Sequence, residues 1–277
     1  MTSARGVWRR WLLGAATLLG QRRGYFIPQR YAGTQGPAHY PAFEAMFGGA
    51  VPEFRDLLAA MARHAELLAG LRGPAPEPRI DQDWFPRLDA AMAYAFVRER
   101  RPSAIIEIGS GHSTRFMARA IRDGGLSTRL VAIDPAPRAP IAGLNLEWLQ
   151  APLQAVDLDR FGTLGPGDLL FVDSSHVLMP GTDVDTILNR ILPRLAAGVI
   201  VHFHDVFLPD AYPDEWAWRG YNEQNAVAVL LGAGRWRPVW SSRWVATRMR
   251  DAVTASGLVR LPLAAGAFES SLWMERL

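Results

Sequence analysis

The sequence predicts an α/β fold: a doubly wound, mostly parallel seven-stranded sheet with a helical N-terminal extension. Three observations carry that expectation. Ser103–Thr114 reads as a strand, a glycine turn and the start of a helix. Three later apolar runs end in polar residues: Leu130–Ile133 in Asp134, Asp168–Val172 in Asp173, and Gly198–Phe203 in His204 and Asp205. Arg235–Ser242 and Ser270–Leu277 read as two closing strands.

The chain opens with a short basic amphipathic helix, in which arginines precede Trp11–Gly20. That apolar run is about half the length a membrane span needs, and no small-x-small cleavage site follows it. Two readings stand: packing on its own domain or a second copy, as in a homodimer, or peripheral contact with a membrane surface. Tyr25–Tyr31 is an aromatic segment that needs cover, and Gly33–Pro41 reads as loop. Phe54, Leu57, Leu58, Met61, Ala65 and Leu68 share one face, so Val51–Leu71 reads as one helix. Gly73–Pro78 is a stiff break, which divides the chain into an extension, 1–78, and a main domain, 79–277.

Trp84–Arg100 reads as the helix leading into the core. Ala104–Ile108 is short, apolar and rich in β-branched residues, as a buried parallel strand is. Glu107 is its one charge. Gly109 and Gly111 let the backbone turn tightly, and Ser113 or Thr114 can cap the helix beyond. Leu146–Leu149 is a short third strand. Thr182–Asp185 has the form of a capping box, opening a helix with a wide apolar stripe. Leu208–Tyr221 is a long connection holding Trp216 and Trp218, suited to a substrate lid. Asn222–Leu231 reads as a helix.

Composition narrows the function. Apolar residues make up 49 % and charged residues 21 %, as in a soluble globule. There is no Cys, which excludes disulfides and thiolate chemistry and fits a cytoplasmic protein. All 30 basic residues are Arg, which excludes a Lys Schiff base or a P-loop Lys. The arginines form no dense run, so nucleic acid is not an expected partner.

Glu107-x-Gly109-x-Gly111, followed by Asp134 at the second strand tip, resembles the class I S-adenosylmethionine-dependent methyltransferases, whose fold is Rossmann-like. Phe171–His176 and Val201–Pro209 are similar to a bacterial small-molecule subfamily often labelled domain 24. The resemblance implies S-adenosylmethionine as cofactor. It implies that Glu107 and the glycine loop (Gly109, Ser110, Gly111, Ser113, Thr114) hold the methionine part. Asp134 would hold the ribose; Gln150 and Asp173 are further cofactor candidates. It also implies O-methylation of a small molecule.

In an open α/β sheet neighbouring strand tips share one crevice, so Asp173, His176, His204 and Asp205 converge beside the glycine loop. Two roles suit them. Asp173, His204 and Asp205 could hold a divalent metal such as Mg, Mn or Fe. Val206 departs from the catechol-type methyltransferase pattern, which has an Asn ligand there. Alternatively His176 or His204, with Asp173, serves as the catalytic base. His202 alternates with His204 and reads as a buried structural residue. Two rivals to methyl transfer are a metal-dependent enzyme of the cephalosporin-hydroxylase-like type and an inactive scaffold on the same fold.

Overall fold

The computed structural model describes residues 4–21, 24, 25, 30 and 39–277. Most of the aromatic segment 25–31 and of the loop 33–41 therefore lies outside the described residues.

β1 (Ala104–Ile108) is buried along its whole length. It pairs in parallel with β2 (Arg129–Ile133) on one side and β4 (Leu169–Val172) on the other. β3 (Glu147–Leu149) edges β2, and β5 (Ile200–Phe203) continues from β4. β7 (Leu272–Arg276) runs antiparallel between β5 and β6 (Trp236–Ser241). The strand order is β3-β2-β1-β4-β5-β7-β6. The order reverses between β1 and β4, so a crevice opens at their carboxyl ends, as doubly wound sheets dictate.

Helices flank the sheet. α1 (Ala4–Leu18) leads the chain. α2 (Pro41–Gly49) follows in a stretch that the sequence reading left without an element, and it buries Phe43 and Phe47. The single helix expected over 51–71 is two, α3 (Val51–Ala62) and α4 (Ala65–Ala69). The break sets His64 edge-on to the Tyr94 ring at 5.2 Å and 3.1 Å from Glu99. These partners lie on α5 (Arg87–Arg100), so a tertiary contact overrides a continuous helical pattern.

α5 starts three residues later than expected. The Gln82 side chain accepts from the amides of Trp84 and Phe85, both at 2.8 Å, and Pro86 then caps the helix. Phe85 is thereby turned into the core, 5.7 Å from the Phe171 ring and 5.3 Å from His204. α6 (His112–Asp123) buries Phe116, Met117, Ala120 and Ile121 as its stripe predicts. Thr182 caps α7 (Asp183–Thr186) by accepting from Asp185 N, and the chain continues as a wider π turn over Ile187–Ile191. α8 is Glu223–Gly232. Two short helices after β6 were not anticipated: α9 (Ser242–Arg248), capped by the Ser241 side chain, and α10 (Arg250–Ala255).

Residues on both sides of the 73–78 break share one core. Phe54 packs 5.7 Å from Trp240, and Phe47 packs 5.8 Å from Trp244. An isolated antiparallel bridge between Arg72 and Arg79 closes the turn between them.

Candidate active site

The glycine turn is bound to both neighbouring strands. Gly109 N donates to Ile133 O at 3.0 Å, and Asp173 N donates to Ile108 O at 2.9 Å. Gly109 has φ +81°, and a Cβ there would fall 1.8 Å from the Asp173 carbonyl oxygen. Only glycine fits this position. The Asp134 carboxylate reaches back over the turn. One of its oxygens accepts from Ser110 N and the other from Ala136 N, each at 2.7 Å.

The helix beyond begins at His112 with Gly111 as its cap, so Ser113 and Thr114 sit inside its first turn. Their hydroxyls donate to the two Glu107 oxygens at 2.6 and 2.5 Å, and Gly111 N donates to Thr114 Oγ1 at 2.8 Å. Glu107 is fully buried beneath the turn. Burial pushes its carboxyl up; the two hydroxyls oppose this, while Asp173 and Asp134 add to it, and the result is about 8.

The β4 and β5 tips bring four side chains together. His176 Nε2 lies 3.3 Å from Asp173 Oδ1 and 3.4 Å from Asp205 Oδ2. His204 Nδ1 lies 3.5 Å from Asp173 Oδ1 and 3.3 Å from Asp205 Oδ1. His176 and Asp205 both adopt left-handed backbone, φ +59° and +55°, a strain that concentrates at sites over-determined by their surroundings. Each histidine is backed on its far side. Glu223 Oε2 is 2.9 Å from His176 Nδ1, and Asp89 Oδ2 is 3.3 Å from His204 Nε2. Burial alone would push both imidazoles down. The carboxylates of Asp173, Glu223 and Asp205 overcome it at His176, and those of Asp173, Asp205 and Asp89 at His204. Both rings are held well above the ordinary histidine range. His202 stacks on Phe171 at 3.6 Å and meets Ser271 Oγ at 2.9 Å; burial pushes it well down, so it is a neutral core residue, as expected.

These groups open on one cavity of about 420 Å³. Gly109, Ser110, Gly111, Ser113 and Asp134 form one end of it; Asp173, His176, His204 and Asp205 form the other. The long connection supplies Trp216 and Arg219 to its wall, and Tyr221 and Phe268 join them. The Arg219 guanidinium stacks 3.9 Å above the Trp216 ring. Glu107 and Thr114 lie behind the wall, and Gln150 is exposed outside it, its amide 3.5 Å from Pro135 O. The Ser110 hydroxyl and His112 Nδ1, both on wall residues, are buried with no hydrogen-bond partner. A polar ligand along the turn would satisfy them, which fits the methionine part of the expected cofactor.

Asp89, Glu223 and Arg219 escaped the sequence reading as site residues. Asp89 had a legible signal: it is four residues after Phe85 and three before Met92, an acid in an apolar stripe. It accepts from Ser270 N and Ser271 N at 3.1 and 3.0 Å, tying α5 to β7. Glu223 gave none, because only the fold brings α8 to the β4 tip.

The donor set for a metal is present, but Asp173 and Asp205 are each engaged by imidazole nitrogens. Among the described residues, the ligand atoms that cluster within 4.8 Å belong to His39, Glu44 and Asp210. There Arg248 already pairs with Glu44 at 2.6 Å and with Asp210 at 2.7 Å.

The doubly wound seven-stranded sheet with an antiparallel seventh strand and an acid-flanked glycine turn at the switch point is the Rossmann-like arrangement expected from the sequence. Residues 106–206, from β1 to just past the β5 tip, match a family described as a methyltransferase domain. The chain is distantly similar to several solved structures. SAH-bound methyltransferase PaMTH1 from Podospora anserina is 18 % identical, covering 92 % of this chain and 99 % of its own, at TM-score 0.45. An O-methyltransferase from Bacillus cereus in complex with SAH is 13 % identical, covering 78 % and 90 %, at 0.41. MycE, a methyltransferase of the mycinamycin biosynthetic pathway with Mg and SAH, is 16 % identical, covering 65 % and 47 %, at 0.34. No curated protein matches the chain.

Proposed function

We propose that the protein transfers a methyl group from S-adenosylmethionine to an oxygen of a small molecule. One observation carries this reading: two imidazoles, each backed by a buried carboxylate, face the cavity that the glycine turn and Asp134 also line. The cofactor, when bound, supplies an electrophilic sulfonium methyl. Asp134 would accept from its ribose hydroxyls, since each carboxylate oxygen keeps a lone pair beyond the one engaged by a backbone amide. The Gly109–Gly111 backbone and Ser110 would hold the methionine part.

At the other end the acceptor must lose a proton and be held in line, about 3 Å from the methyl carbon. His176 and His204 are placed to handle that proton. The acceptor's O–H proton passes to a ring nitrogen of His176 or His204 in its neutral form as the methyl is transferred, and the Asp173 and Asp205 carboxylates beside them stabilise the imidazolium that forms. Trp216, Tyr221 and Phe268 offer ring faces to a planar acceptor.

Calorimetry with S-adenosylmethionine and turnover assays on a panel of phenols and hydroxy acids test this. His176→Asn and His204→Asn should keep cofactor binding and lower kcat roughly 10²- to 10⁴-fold. Failure of the wild-type chain to bind the cofactor at all would sink the proposal.

A second reading has Asp173, His204 and Asp205 hold a divalent cation in place of the imidazole protons. Prolonged dialysis against EDTA separates the two. Turnover should survive it; loss of turnover, restored by Mg²⁺ or Mn²⁺, would establish the metal reading.

A further inference from the structure

Six of the 30 arginines and none of the 27 acidic residues fall in the first 43 positions. That segment therefore carries a charge of +6 and the rest of the chain −3. Within it helical spacing places Trp8, Trp11, Leu12, Ala15 and Leu18 of α1, with Leu19 just past its end, along one face. All six are exposed, Trp8 at 67 % and Trp11 at 71 %. Arg5, Arg9 and Arg10 fall on the remaining arc of the same helix. At 15 residues the helix is about 22 Å long, too short to cross a bilayer but suited to lie on one.

We propose that α1 docks the protein on an anionic lipid bilayer, with its Trp/Leu face in the headgroup boundary and its arginines on the lipid phosphates. Charge decides against a second copy of the chain as the occupant. In a two-fold dimer a surface patch meets itself, so two helices lacking any acidic residue would be pressed together. An anionic membrane complements the apolar and the basic part at once. α1 also lies against the 214–219 turn, which supplies Trp216 and Arg219 to the cavity. Docking therefore sets the roof of the cavity beside the lipid.

Co-sedimentation of the full chain, without cofactor or acceptor, tests this apart from the methyl-transfer reading. The probes are vesicles of phosphatidylcholine alone and of phosphatidylcholine mixed with phosphatidylglycerol. The chain should bind the mixed vesicles, and binding should weaken as salt is raised. Arg5→Gln, Arg9→Gln and Arg10→Gln together should lower the partition coefficient about 100-fold, at roughly fivefold per cation near the surface. Trp8→Ala with Trp11→Ala should lower it about tenfold, with the salt dependence unchanged. Melts of both variants should overlay that of the parent, the tryptophan pair because both rings are exposed. Equal binding to both vesicle types, or to neither, overturns the proposal. So does a dimer, seen by light scattering, that the two tryptophan substitutions dissolve.

Discussion

Glu107 is an acid in a place where water cannot reach it, and its protonation should be readable from outside. Its folded value of about 8 lies above the ordinary 4.5, so the native state holds the proton more tightly than the unfolded chain. The stability this lends is complete below the unfolded value and disappears as pH climbs through the folded one. Wild-type stability should therefore fall between about pH 5 and pH 8, by up to about 1.4 kcal/mol per pH unit from this group alone. Glu107→Gln should lack that component, and urea unfolding of the pair across this range measures the difference. A cationic ligand over the turn would bring Glu107 back down, so cofactor binding near neutral pH should expel a proton from the wild type and none from Glu107→Gln. Titration calorimetry in buffers of different ionisation enthalpy reads this directly; equal proton release from both would place the cation elsewhere.

Among the elements, the β1–α6 turn is the most tightly specified, and its two glycines serve different needs. Gly109 combines positive φ with a Cβ position 1.8 Å from the Asp173 carbonyl, so an added methyl must part β1 from β4. At Gly111 the backbone is extended, and a Cβ would lie 3.4 Å from Ala139 N. Gly109→Ala should cost more than about 3 kcal/mol or prevent folding, because left-handed strain and a backbone collision add. Gly111→Ala should fold with a melting temperature close to the parent and show its effect in cofactor affinity. Thermal melts of the two variants decide this; equal tolerance would mean that β4 moves aside.

At the scale of the whole molecule, what could be read in advance followed periodicity and punctuation. β1, β4, β5 and their polar tips were legible because buried parallel strands are short apolar runs, and a charge or glycine marks where each one ends. The convergence of Asp173, His176, His204 and Asp205 followed from the sheet rule alone. The carboxylates behind the two histidines were not legible in that way. Glu223 reaches His176 only once the 208–221 connection has folded back. The break at His64 and the position of Phe85 likewise depend on partners far along the chain. The 73–78 segment shows what this means for the molecule. By composition it separates an extension from a main domain, yet Phe47 and Phe54 pack on Trp244 and Trp240, beyond the last parallel strand. Removing residues 1–78 would therefore expose two tryptophans and the apolar side of β6. A chain beginning at residue 79 should aggregate or lose its cooperative melt, since each large buried side chain left uncovered costs about 2–3 kcal/mol. A chain beginning at residue 39 keeps α2 and α3 in place and should melt within a few degrees of the full protein. Size-exclusion chromatography and calorimetry of both truncations test this, and a well-folded 79–277 fragment would show that the extension is only laid onto a core complete without it.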